Sequence, residues 1–120
     1  MGWLPDKSRP ICPQICEQIC LEIAEGTYAP QERLPSVRDI ATLLGVNPNT
    51  VQRAMEQLDQ QMVIFAVRGS GWYVREDISV AKQVLHKMRL EKTTAFFAEM
   101  KDLGLSSEQT KFFVEEWYRE

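Results

Sequence analysis

The chain has 120 residues, 44% of them hydrophobic and 26% charged, which fits one compact domain with a small appendage and excludes two large domains. Its uncharged apolar runs fall far short of the roughly 20 residues that a membrane span requires, and no signal-peptide core is visible, so a cytoplasmic protein with no membrane partner is expected. The net charge of −3 speaks by itself against a nucleic-acid partner, yet it hides an asymmetry: Thr27 to Arg75 holds five arginines against four acids, while Glu76 to Glu120 holds nine acids against seven bases.

After a tail at 1–9, the first predicted element is an amphipathic helix from Ile11 to Glu25. Ile11, Ile15, Ile19 and Ile23 recur every fourth residue, Pro13 is tolerated in a first turn, and Gly26 closes the helix. All three cysteines of the chain, Cys12, Cys16 and Cys20, lie one step around from that stripe. Cys12 and Cys20 stand about 12 Å apart along a helix axis, whereas two thiolates on one zinc ion lie within about 4.6 Å of each other, so one ion cannot take all three. Packing as free thiols is their expected role. A thiol- or metal-responsive regulator using them is the rival reading.

The segment "TYAPQERLP" is extended and turn-rich, with Leu34 expected in a short strand before Pro35. A second helix follows. Ser36 is its N-cap, Asp39 occupies the capping-box position, Ile40, Leu43 and Leu44 form its apolar face, and Gly45 stops it. Only Val46 and Asn47 separate Gly45 from "PNTVQRAMEQLDQQ", where Asn47 caps, Pro48 suits the first helical position, and Val51, Ala54, Met55 and Leu58 make an apolar stripe. Two helices meeting at a tight glycine turn form a helix-turn-helix, whose second helix enters a DNA major groove. The runs "MVIFAV" and "WYV" on either side of "RGSG" then read as a β-hairpin, since the two glycines permit positive φ. The fold class is mainly α with a small β-wing: a winged helix-turn-helix at 10–76 with a core of Ile15, Ile19, Ile40, Leu44, Val51, Leu58 and Ile64, then two C-terminal helices.

Three motifs in this order, Leu34-Pro-Ser-x-Arg38, Gly45-Val-Asn-x-x-Thr-Val51 and Arg68-Gly-x-Gly71, resemble the GntR family of bacterial transcription regulators across about residues 10 to 75. The run "GVNPNTVQRA" and the short tail are similar to its YtrA-type branch. The resemblance implies a regulator that either lacks a small-molecule effector or binds one between subunits, because larger relatives carry a separate effector domain. One position departs from the pattern. The family usually places Gly where this chain has Met62, and a left-handed cap there costs a non-Gly residue roughly 1 kcal/mol, so a different ending of the recognition helix is expected.

Site residues follow from where side chains must point. Ser36 and Arg38, at the start of the second helix, face a DNA phosphate across free N–H groups and the positive end of the dipole. Asn47, Asn49, Thr50, Gln52 and Arg53 form the exposed beginning of the recognition helix, with Asn49, Gln52 and Arg53 suited to base edges and Thr50 to phosphate. Arg68, Gly69 and Ser70 at the wing tip can reach a minor groove or its phosphates. No nucleophile, base and orienter set, no phosphate loop and no metal spacing is present, so catalytic and metal residues and cofactors are expected to be none, and lone His86 reads as a surface residue.

The region 77–120 is expected to be helical and to dimerise the protein. Asp77 or Ser79 can cap a helix with Ala81, Val84, Leu85, Met88, Phe96, Met100 and Leu103 turned inward. Gly104 ends it, and Ser106 or Ser107 can cap a last helix carrying Phe112, Phe113, Val114, Trp117 and Tyr118. Two helices are too few to enclose a typical ligand cavity of at least ~300 Å³ within one subunit. The interface is assigned to Val84, Met88, Phe96, Met100, Phe113 and Trp117. The sequence therefore reads as a homodimeric, sequence-specific regulator acting on a palindromic double-stranded DNA operator, with a winged-helix protein-interaction module as the alternative.

Overall fold

The computed structural model describes residues 2–119; Met1 of the expected tail and Glu120 of the expected helical region lie outside the described residues. The elements run α1 (Ile11–Ala24), α2 (Val37–Leu44), α3 (Pro48–Gln60), β1 (Ile64–Val67), β2 (Gly71–Val74), α4 (Ser79–Asp102) and α5 (Ser107–Arg119). The chain divides into two compact units, residues 1–85 and residues 86–120, with the division inside α4.

In the first unit, α3 packs against α1, α2 and β1. The isoleucine spacing of α1 has its expected consequence: Ile15, Ile19 and Ile23 have no exposed surface, and they meet Ile40, Leu44, Val51, Met55, Leu58 and Ile64 in one core. Each such side chain removed from water stabilises the fold by roughly 1.5–3 kcal/mol before chain entropy is counted. Cys16 and Cys20 are buried beside the isoleucines, and Cys12 is half-buried. The Cys16 thiol donates to the Ala54 carbonyl at 3.5 Å and to Gln57 Oε1 at 3.6 Å. Burial pushes its pKa up to about 12 and that of Cys20 to about 11. Neutral thiols that pack against α3 suit a structural role, since both redox and metal chemistry need the thiolate.

Residues before α1 are fastened to it by buried Gln14. The Gln14 amide accepts from the Asp6 N–H at 2.7 Å and donates to the carbonyls of Asp6, Arg9 and Pro10.

Four helices end in the same way, in the double hydrogen bond of a Schellman motif. Gly26, Gly45 and Gly104 take the left-handed position at the ends of α1, α2 and α4. At the end of α3 the position belongs to Met62, with φ 66°. The Met62 N–H donates to the Asp59 carbonyl at 2.9 Å and the Val63 N–H to the Leu58 carbonyl at 2.9 Å. The expected change of helix ending is therefore overturned: the left-handed cap that favours glycine is kept with a non-glycine residue in it. The two hydrogen bonds and the burial of Val63 against the core hold Met62 there, and its side chain is 51% exposed.

The strand expected at Leu34 is a single bridge between Arg33 and Tyr73. Around it, Gln31 N–H donates to Val74 O, Val74 N–H to Glu32 O, and Leu34 N–H to Trp72 O, so residues 31–34 form a short third edge beside β2. Pro35 lacks the N–H that would extend the ladder. The wing itself is the antiparallel pair β1·β2, in register Ile64↔Val74 through Val67↔Gly71. Beyond it, the Asp77 carboxylate accepts from both the N–H and the hydroxyl of Ser79, which starts α4, and Ala81 and Leu85 are buried within the first unit.

In the second unit, Ser106 and Gln109 make a reciprocal capping box at the start of α5. The apolar residues here are arranged differently from expectation. Leu103, expected inward, is 78% exposed, and Phe96, Phe112, Phe113, Trp117 and Tyr118 all stand open to solvent. One pair of helices has two flanks and too little partner surface to cover both. Phe96, Phe113, Val114, Trp117 and Tyr118 line a groove of about 400 Å³. The groove is open-sided and not enclosed, so it leaves the expectation that two helices do not enclose a ligand cavity uncontradicted.

Candidate nucleic-acid interface

Local sequence chemistry places each expected contact residue. The Ser36 hydroxyl accepts from the Asp39 N–H at 3.0 Å, which caps α2 and leaves the hydroxyl proton available to an outside acceptor such as a phosphate. Arg38 is exposed one residue into the helix. The Asn47 side-chain carbonyl accepts from the Asn49 N–H at 2.8 Å, so the cap uses its acceptor and only its NH2 group can face a ligand.

On α3, Val51, Ala54, Met55 and Leu58 are fully buried, which turns the opposite side of the helix outward. Asn49 and Arg53 are exposed on that side, with Thr50 and Gln52 half-exposed beside them. The i, i+3 and i+4 spacing of Asn49, Gln52 and Arg53 brings all three onto one face. Glu56 belongs to that face too: Gln52 Nε2 donates to Glu56 Oε1 at 3.1 Å. That partnership fixes the Gln52 amide with its carbonyl turned away from the acid, and sequence reading missed it even though the i, i+4 spacing was visible.

Among the described residues, no hydrogen bond or ion pair engages Arg38, Arg53 or Arg68, whereas Arg75 is tied to Asp59 at 3.6 Å, to the Ile64 carbonyl at 3.2 Å and to the Phe65 ring. The positive charge of the middle segment is thus split. Of its five arginines, the side chains of Arg38, Arg53 and Arg68 are free to meet an anion, and those of Arg33 and Arg75 are held inside the unit.

At the wing tip, the Ser70 N–H closes a turn on the Val67 carbonyl at 2.9 Å, with Gly69 at φ 78° in the position that a type II turn reserves for glycine. Arg68 and Gly69 are exposed. Ser70 is half-buried, and its hydroxyl pairs with the Tyr73 hydroxyl at 2.5 Å. A capped α2 start, an exposed α3 face and a hairpin tip in one packed unit are the working parts of a winged helix-turn-helix.

Comparison with known proteins agrees with that architecture. The family description "Bacterial regulatory proteins, gntR family" matches residues 13–74. The chain belongs to the GntR family. It is a DNA-binding transcription regulator of that family, and its five helices and small antiparallel sheet are the family's winged domain with C-terminal helices. It is 33% identical over 102 residues to the uncharacterized HTH-type transcriptional regulator YhcF of Bacillus subtilis, covering 85% of this chain and 84% of YhcF. To the HTH-type transcriptional repressor YtrA of the same species it is 40% identical over 73 residues, 61% of this chain and 56% of YtrA, in keeping with the YtrA-type branch.

Among solved structures, a GntR family transcriptional regulator from Listeria monocytogenes matches with a TM-score of 0.76 at 39% identity, covering 93% of this chain and 98% of that one. The DNA-binding domain of AraR in complex with operator ORR3 matches with a TM-score of 0.51 at 27% identity, over 52% of this chain and 76% of that domain.

Proposed function

We propose that this GntR-family protein acts as a cytoplasmic homodimer on a palindromic operator, by binding and without catalysis, with α3 in the major groove and the wing at the adjacent minor groove. The observation that carries the DNA-facing half is the set of unpartnered arginines, Arg38, Arg53 and Arg68, distributed over the α2 start, the α3 face and the wing tip of one unit. Ser36 and Arg38 hold phosphate, Asn49, Gln52 and Arg53 read base edges, Thr50 and Asn47 flank them, and Arg68, Gly69 and Ser70 follow the minor groove. The AraR complex supports the geometry, since a similar domain is there seated on its operator.

The dimer rests on the second unit. Its exposed aromatics make an apolar surface that a second copy of this chain covers, with Met88, Phe96, Met100, Phe113 and Trp117, and Val84 at the end of the first unit, assigned to the interface. Trp117, at 73% exposure, is the anchor. A two-fold pair presents two α3 helices about 34 Å apart, one turn of DNA, and the operator is correspondingly palindromic.

Binding of selected operator sequences measured with point variants tests this assignment. Arg38→Ala is expected to weaken every sequence alike and to reduce the salt slope by about 1, whereas Gln52→Ala relaxes preference at particular bases. Wild-type affinity and wild-type preference in both variants would overturn the assigned face.

A further inference from the structure

The wing tip is fastened by a residue outside the hairpin and outside the expected contact set. Arg33 lies in the segment leading to α2, opposite Tyr73 in the isolated bridge. Its Nη2 donates to the Ser70 carbonyl at 2.6 Å, a short charge-assisted bond. The same Ser70 uses its hydroxyl on Tyr73, the bridge partner of Arg33, so backbone bridge, guanidinium and hydroxyl pair close a small ring of interactions around the tip.

Gly71 completes it. A Cβ at Gly71 would stand 3.3 Å from Arg33 Nε and 3.5 Å from Nη2, so the guanidinium lies across the one residue of β2 that has no side chain. Gly71 also has φ 143°, a conformation that favours glycine. The second glycine of Arg-Gly-x-Gly thus has two reasons to be there: its backbone conformation and the room it leaves for Arg33.

We propose that Arg33 is a positioning residue for DNA recognition: its guanidinium clasps the Arg68–Ser70 tip to the segment that begins α2, so that the wing and the α2 phosphate contact approach DNA as one rigid piece. Only two residues separate Arg33 from the cap residue Ser36 and four from Arg38, so the clasp links two of the three DNA-facing parts directly. The β1·β2 ladder and the 31–34 edge support the base of the wing, and beyond the last ladder pair, Val67↔Gly71, the tip has its turn bond, the hydroxyl pair and the Arg33 clasp to fix it. The role needs the planar guanidinium, which can lie flat across Gly71 while one Nη reaches the carbonyl, and a lysine ammonium cannot do both. The DNA part of this proposal rests on the operator reading above.

Two measurements on the full chain test it. In the DNA-free protein, amide hydrogen exchange over Gly69 to Trp72 is expected to quicken about tenfold in Arg33→Ala, the loss corresponding to one hydrogen bond from a charged group, and to quicken in Arg33→Lys as well, while α3 amides keep their wild-type rates. On operator DNA, hydroxyl-radical footprints of both variants should lose the outer, wing-side protection and retain the central protection from α3. Unchanged exchange in Arg33→Ala would overturn the proposal, as would Arg33→Lys restoring both exchange and footprint, because charge alone would then suffice. The exchange result does not depend on DNA: a wild-type protein that leaves no footprint on any sequence would refute the operator reading and leave the clasp to be decided by exchange.

Discussion

The two units use apolar residues in opposite ways. In residues 1–85 most large aliphatic side chains are withdrawn: Ile15, Ile19, Ile23, Ile40, Val51, Leu58 and Ile64 have no exposed surface, although Leu43, expected on the apolar face of α2, is 57% exposed. In residues 86–120 the largest apolar side chains remain outside, with Trp117 and Tyr118 about three-quarters exposed and set edge to face against each other. The first unit packs most of its hydrophobic residues within one chain and leaves polar and cationic groups exposed. The second offers the hydrophobic surface itself. Exposed apolar patches favour association and unpaired arginines favour anions, so the proposed reading gives the two units different partners.

Point changes should separate the units cleanly. Leu58→Ala, deep in the first unit, is expected to lower unfolding stability by about 2–5 kcal/mol in urea titration through the cavity it leaves. Loss of less than about 1 kcal/mol would mean that the core is not packed as described. Trp117→Ala should do the reverse: little change in the unfolding of the winged unit, but dimer dissociation strengthened by about 2 kcal/mol or more, visible as a monomer of 13.9 kDa in sedimentation at micromolar concentration. A variant as firmly dimeric as wild type would remove Trp117 from the interface. Met62→Gly is the smallest of the three. It relieves the left-handed strain at the end of α3 and should stabilise the first unit by roughly 0.5–1 kcal/mol, since the exposed Met62 side chain contributes little packing. Destabilisation would show that Met62 holds a contact that its exposure conceals.

How much was legible in the sequence follows the same division. The first unit was readable because its signals are local and redundant. Isoleucines every fourth residue, Ser36 and Asn47 at caps, Gly26 and Gly45 at ends, and two glycines in the wing each specify backbone geometry without reference to distant residues. Where local rules conflicted, the expectation failed. Met62 was read by its own preference against positive φ, but the Schellman hydrogen bonds and buried Val63 set its conformation. Leu34 was read as strand, but Pro35 limits pairing to one bridge.

Side-chain partnerships across sequence distance could not be read at all. Nothing in the spacing says that Arg33 reaches Ser70, that Cys16 turns its thiol to Ala54, or that Gln14 fastens the residues before α1. In the second unit, periodicity gives the helices but points Leu103 and Phe96 inward, because an apolar stripe does not tell a buried face from an exposed one.

The central claim is that one unit reads DNA while the other pairs two copies of it. Selection of bound sequences from random duplex DNA at two salt concentrations tests it most directly. The account predicts enrichment of two inverted half-sites with centres about 10 base pairs apart, and affinity that falls steeply with salt, at a slope of about −0.9 per phosphate contact. Enrichment of no sequence, or of single half-sites without symmetry, or binding indifferent to salt, would contradict it.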